Sequence, residues 1–128
     1  MITLGIETSC DDTSICILKT EKDLPPRLLS HNSFSSEKIL QKWGGVVPEI
    51  AARNHLDKIT PLLSLCLEEA SISLGDIDQI GVTTNPGLLG PLLTGLNAAK
   101  TIALLKKKPI VPVNHLFAHL EAIHLTKE

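Results

Sequence analysis

ITLGIETSCDDTSICIL, residues 2–18, predicts a β-hairpin. Residues 2–8 have a strand pattern that ends in a polar turn, and residues 14–18 alternate as a second strand. Between them, Ser9-Cys10-Asp11-Asp12-Thr13 is short enough for a hairpin connection. Past the breaker Asp23-Leu24-Pro25-Pro26, residues 27–34 supply a third strand of the meander. Residues 35–42 are polar and read as a loop or short helix.

The pattern then changes period. After the Gly44-Gly45 pair, Pro48 suits the first turn of a helix. The apolar positions Ile50, Leu56, Ile59, Leu62, Leu63, Leu65, Leu67 and Ala70 recur at helical spacing, and Pro61 is expected to kink or split that helix. Residues 77–83 predict a strand and Asn85-Pro86-Gly87 a turn. Residues 88–106 predict a very apolar helix, with Pro91 in its first turn and Gly95 allowing close packing. Residues 110–113 predict a last strand and residues 115–127 a last helix. A meander followed by alternating helices and strands implies an α/β fold, a mixed sheet with helices on its faces.

Composition agrees. A chain of 128 residues, 43% hydrophobic and 20% charged, is ordinary for one globular domain. Its aromatics are Phe34, Trp43 and Phe117, so the core must be aliphatic. That scarcity argues against a base-stacking nucleic-acid module. The formal net charge is −2, and the one basic run, Lys106-Lys107-Lys108, reads as a solvated helix end, with a phosphate contact in RNA as the alternative. Cys10, Cys16 and Cys66 make an odd count without a CxxC pair, which suits a reducing cytoplasm rather than a disulfide framework. Cys16 and Cys66 are expected to be buried, Cys10 more exposed. No apolar run reaches the roughly 20 residues of a membrane span. Met1 leads straight into a strand pattern, so no signal peptide is expected.

Three clusters bear chemistry. The turn after the first strand is crowded with hydroxyls and carboxylates that can face a phosphate and its cation, although such residues also simply form turns. Glu7 stands out on an otherwise apolar strand. Asn85-Pro86-Gly87-Leu88-Leu89-Gly90 lies between a strand and a helix, where glycine lets a ligand approach the backbone; it is neither a P-loop nor a dinucleotide fingerprint. His115 and His119 stand four apart on a predicted helix, so their imidazoles share one face and can share one metal ion, although two ligands are fewer than the three or four a stable site needs and such a pair can also simply cap or pack at a helix start. Leu116 occupies the position where a zinc peptidase of the HExxH type needs glutamate, which argues against a peptidase. His124 falls on a different helix face, and His55 is read as a solvent-facing or interface residue of the long helix.

Four blocks in one register carry a family resemblance: GIETSCDDTS (5–14), WGGVVPEIAARNH (43–55), TTNPGLLGPLLTGLNAAK (83–100) and VNHLFAHLEA (113–122). Together they resemble the tRNA N6-adenosine threonylcarbamoyltransferase family. That resemblance implies a ribonuclease-H-like lobe of the actin, hexokinase and chaperone ATPase superfamily. It also implies transfer of a threonylcarbamoyl group from its adenylate to N6 of the adenosine 3′ of the anticodon, in tRNAs reading codons that begin with A. By the same resemblance, His115 and His119 would be ligands of one divalent iron or zinc ion. Ser9, Asp11 and Asp12 would be catalytic residues lining the cleft, and Asn85 and Gly87 would meet the threonylcarbamoyl-adenylate or adenine nucleotide. The implied partners are tRNA, an inactive paralogous subunit and a small ATPase, with no membrane.

The sequence departs from the family pattern at three positions. Asp12 replaces a usual glutamate, Asn54 a usual aspartate and Asn85 a usual glycine. Family members also continue into a second lobe that completes the metal site. The 128 residues are therefore expected to be the first lobe of a longer enzyme, with little activity alone and a tendency to self-associate through exposed apolar surface. The alternative is a non-catalytic scaffold or binding module related to the inactive subunit.

Overall fold

Strict alternation builds the first layer. In the computed structural model, which describes residues 1–125, β1 (Ile2–Glu7) pairs antiparallel with β2 (Thr13–Lys19), and β2 pairs antiparallel with β3 (Arg27–Phe34). On the other side of β1 lie β4 (Gln79–Asn85) and then β5 (Ile110–Asn114), both parallel to it. The sheet order is β3-β2-β1-β4-β5. Register sets Leu4 against Ile17 and Ile80, and Ile6 against Ile15 and Val82. These six side chains form a continuous aliphatic face that is almost wholly buried. Fully burying each is worth about 1.5–3 kcal/mol.

Two long helices cover that face. After the short α1 (Glu37–Leu40), α2 (Pro48–Glu69) packs on β2 and β3, while α3 (Leu89–Lys106) packs on β4 and β1. The helices also pack on each other, and Gly90 brings α3 close to Ala52 of α2. Ser30 Oγ ties β3 to α2 by donating to the Cys66 carbonyl at 2.8 Å. Cys66 is buried, Cys16 is intermediate and Cys10 is exposed. The three lysines do end α3, with Lys107 in the left-handed region as its cap.

Two expectations need correction. Pro61 does not split α2, which runs unbroken from Pro48 to Glu69. Pro61 lies on the exposed side, where water can satisfy the carbonyl that proline leaves unpaired. Ile59 and Cys66 are buried on either side of it. The last helix is shorter than its pattern: α4 (His115–Glu121) passes into a single 3-10 turn, Ala122–His124. The expected continuation to residue 127 lies outside the described residues. No helix among the described residues is long and apolar enough to cross a membrane. Leu56, Leu89, Leu104 and Leu105 of α2 and α3, with Leu116, Phe117, Leu120 and Ile123 at α4, leave large apolar side chains exposed.

Candidate functional site

The carboxyl ends of the parallel strands β1, β4 and β5 meet at one edge of the sheet, where α/β folds bind ligands. The three sequence clusters all emerge there: the Ser9 turn from β1, the Asn85–Gly87 loop from β4 and the histidine pair from β5. Asn114 caps α4, its Oδ1 accepting from the Phe117 N–H at 3.0 Å. Helix and strand therefore join without a spacer, and His115 turns back over the sheet.

Glu7 meets it. On β1, Leu4 and Ile6 face the helices, so Thr3, Gly5 and Glu7 face the other way. Glu7 Oε2 lies 3.2 Å from His115 Nδ1 and also accepts from the Thr83 hydroxyl of the neighbouring strand. Glu7 Oε1 accepts from the Ser9 N–H at 2.6 Å. Ser9 Oγ is 3.1 Å from His115 Nδ1. Burial pushes the Glu7 carboxyl upward, but hydrogen bonds from Ser9, Thr83 and His115 outweigh it and hold the group below its ordinary value.

On the far side of the ring, His115 Nε2 and His119 Nε2 lie 3.1 Å apart, with the rings edge to face. Two nitrogens each held about 2.0–2.1 Å from one ion, at tetrahedral to octahedral angles, are themselves about 2.9–3.4 Å apart. The pair thus fits a shared divalent ion. Among the described residues no group of three or more His, Cys, Asp or Glu gathers to hold one. An ion here would need ligands from elsewhere.

The Asn85–Gly87 loop falls close by. Gly87 packs directly on the turn: a Cβ there would stand 2.6 Å from the Ser9 carbonyl oxygen. The Leu88 N–H donates to that same carbonyl at 2.8 Å, so the two loops are sewn together. An open depression of about 250 Å³ lies between Ser9, Cys10, Pro86, Gly87, Leu88 and His115. Asn85 is exposed at the end of β4, its Oδ1 accepting from the Thr84 hydroxyl at 3.0 Å. Asp11 and Asp12 stand further along the turn, close enough to His55 for their charges to act on it.

His55 is the main correction. It is fully buried, not solvent-facing. Its Nε2–H donates to the Cys10 carbonyl at 2.7 Å, and its Nδ1 accepts from the Thr13 hydroxyl at 2.7 Å. The ring is a strut under the turn that carries Ser9, Asp11 and Asp12. Burial depresses its pKa below the usual 6.5, against the pull of the Cys10 carbonyl and nearby carboxylates. The folded state therefore favours neutral His55. Its contribution to stability is complete above about pH 6.5 and shrinks as pH falls toward the depressed value. Glu7, also depressed, adds a loss of the same sign below about pH 4.5. Urea unfolding at pH 8 and pH 5.5 is expected to show the chain less stable at the lower pH, with a smaller difference in His55→Gln. An equal drop in both would assign the pH dependence to other groups.

Known proteins show the same pattern at two levels. The sequence profile of the tRNA N6-adenosine threonylcarbamoyltransferase family matches residues 27–128. The chain is 48% identical to the tRNA N6-adenosine threonylcarbamoyltransferase of Sulfurihydrogenibium sp. over 128 residues, all of this chain and 36% of that protein. It is 42% identical to that of Staphylococcus aureus over 125 residues, 98% of this chain and 36% of that protein. The chain thus spans about a third of the length of these curated relatives. Among solved structures, YeaZ from Pseudomonas aeruginosa superposes with a TM-score of 0.66 at 16% identity, over 96% of this chain and 50% of that one. Thermus thermophilus RuvC in complex with Holliday junction substrate superposes at 0.59 and 14% identity, over 96% and 72%. At such identities these likenesses speak to fold, and they place the sheet and its helices in the ribonuclease-H-like class.

Proposed function

Because the chain belongs to the tRNA N6-adenosine threonylcarbamoyltransferase family, we propose that it is the N-terminal lobe of a cytoplasmic enzyme carrying that activity. The substrate would be threonylcarbamoyl-adenylate. The acceptor would be N6 of the adenosine 3′ of the anticodon in tRNAs reading codons that begin with A. The observation that carries this reading is the pair of imidazole nitrogens 3.1 Å apart, set beside Ser9 at the ligand-binding edge of the sheet.

His115 and His119 would hold an iron or zinc ion, which when bound supplies Lewis-acid polarisation of the carbamoyl oxygen. The chain's own residues do the rest of the positioning. Ser9 and the Gly87 backbone border the depression that would receive the adenylate. Asp11 and Asp12 stand on the same turn, where carboxylates can hold a cation-bound water near the phosphate or take a proton from the amine. A second lobe would close the cleft and complete the ligand set. An inactive paralogous subunit and a small ATPase would be its partners.

A chimera tests this reading. These 128 residues replace the matching 128 of the Sulfurihydrogenibium relative, and the product is incubated with threonylcarbamoyl-adenylate, tRNA and that organism's inactive paralogous subunit and small ATPase. Mass spectrometry of the digested tRNA is expected to show threonylcarbamoyladenosine for the chimera and none for its His115→Ala/His119→Ala variant. The isolated chain is expected to make none. A folded chimera that yields no product would overturn the catalytic reading in favour of a binding module. Sedimentation of the isolated chain is expected to show self-association that grows with concentration; a monomer throughout would contradict this.

A further inference from the structure

We propose that Glu7 is the positioning residue that fixes the proton of His115 on Nδ1, leaving the Nε2 lone pair directed at His119, from whose Nε2–H it accepts until an ion takes that proton's place. The inference rests on the reading of His115 and His119 as a ligand pair, and it adds a role for a residue outside that pair. The argument is one of donors and acceptors. A carboxylate can only accept. An unprotonated Nδ1 placed 3.2 Å from Glu7 Oε2 would set lone pair against lone pair. The ring therefore carries its proton on Nδ1 and donates to Oε2. Ser9 Oγ, at 3.1 Å from the same nitrogen, becomes a second acceptor. Its hydroxyl can rotate to suit either tautomer, so it follows the choice and does not make it. With Nδ1 protonated, neutral His115 must have a bare Nε2, the form a metal ligand requires.

Glu7 is itself locked. Its two oxygens are held by the Ser9 N–H on Oε1, by the Thr83 hydroxyl and His115 Nδ1–H on Oε2, and by the Ser9 hydroxyl. An amide cannot reproduce this. The Ser9 backbone N–H cannot reverse its polarity, so glutamine in place of Glu7 would keep its oxygen toward Ser9 and turn its NH2 toward Thr83 and His115. The threonine hydroxyl can rotate to accept. His115 can accept only by moving its proton to Nε2. Glu7→Gln is therefore expected to invert the tautomer and fill the lone pair that an ion would use.

The test is an imidazole 15N–1H correlation spectrum of the 128-residue chain at about pH 8.5, where ordinary histidines are neutral. Wild type is expected to give a pyridine-like Nε2 and a pyrrole-like Nδ1 for His115. Glu7→Gln should reverse the two, shifting the tautomer ratio by tenfold or more. Ser9→Ala should keep the wild-type pattern. Titration with Zn2+ alone should show affinity lowered about 10- to 100-fold in Glu7→Gln. Wild type protonated on Nε2, or a ratio and zinc affinity unchanged in Glu7→Gln, would overturn the proposal. If Glu7→Gln fails to fold, Ser9→Ala decides: a retained Nδ1–H supports Glu7, and a lost one assigns the role to Ser9. These readouts do not involve tRNA, so an inactive chimera would sink the transferase reading and leave the Glu7 assignment standing.

Discussion

Replacing His55 by leucine is expected to destabilise the chain by about 2–4 kcal/mol, a large part of the 5–15 kcal/mol typical of a domain. Leucine fills much of the space, so packing is not the main loss. The loss comes from two polar groups built to meet the ring. The Thr13 hydroxyl is buried without exposure, and His55 Nδ1 is its partner. The Cys10 carbonyl loses the Nε2–H that it accepts from. An unsatisfied buried group costs about 1–3 kcal/mol, and the part-buried carbonyl recovers some of that from water. His55→Gln retains one of the two bonds and is expected to fall between. Urea midpoints measure all three chains. A leucine variant within about 0.5 kcal/mol of wild type, the range of ordinary surface changes, would remove the strut from under the turn.

A second large effect is expected at Gly95. A Cβ there would stand 2.3 Å from Thr8 Oγ1, far inside contact distance. Thr8 is 1% exposed and donates to the Pro91 carbonyl at 2.7 Å, so it has nowhere to turn. Alanine would favour the helix by about 1 kcal/mol over glycine. Overpacking of about 1–3 kcal/mol and the strained or broken Thr8 bond, worth a similar amount, oppose that gain. Steric conflict wins, and Gly95→Ala should lose about 2–3 kcal/mol net. Because Thr8 sits between Glu7 and Ser9, the same push displaces both. Adding Thr8→Ala removes the colliding hydroxyl, so the double variant should recover at least about 1 kcal/mol relative to additivity. Strict additivity of the two changes would show that helix and strand do not meet as described.

The hairpin, the two long helices and the order of elements along the chain were legible because each rests on a local period. Alternation in residues 2–18 and helical spacing in residues 88–106 need no knowledge of distant partners. Pro61 does not end the helix as a split would require: the ring removes one hydrogen bond, and Ile59 and Cys66 are buried on either side of it. His55 was misplaced although a signal was there. Ala51, His55, Ile59 and Cys66 lie on one buried helix stripe, so spacing alone put the imidazole on the inner side. Its polarity drew the reading outward, and only the tertiary structure supplies the Thr13 and Cys10 partners that make a buried histidine tolerable.

The sequence by itself determined the mixed α/β architecture, the family, and the spacing that puts His115 and His119 on one helix face. Those depend on periodicity and on motifs within a few residues. It did not determine that Glu7 would reach His115 across 108 positions, or that Gly87 would press on Ser9 and Gly95 on Thr8. Such contacts depend on where three strand ends arrive together, which the parallel register of β1, β4 and β5 sets. Hydrogen-bond direction and close backbone approach are properties of that meeting, and no local pattern encodes them.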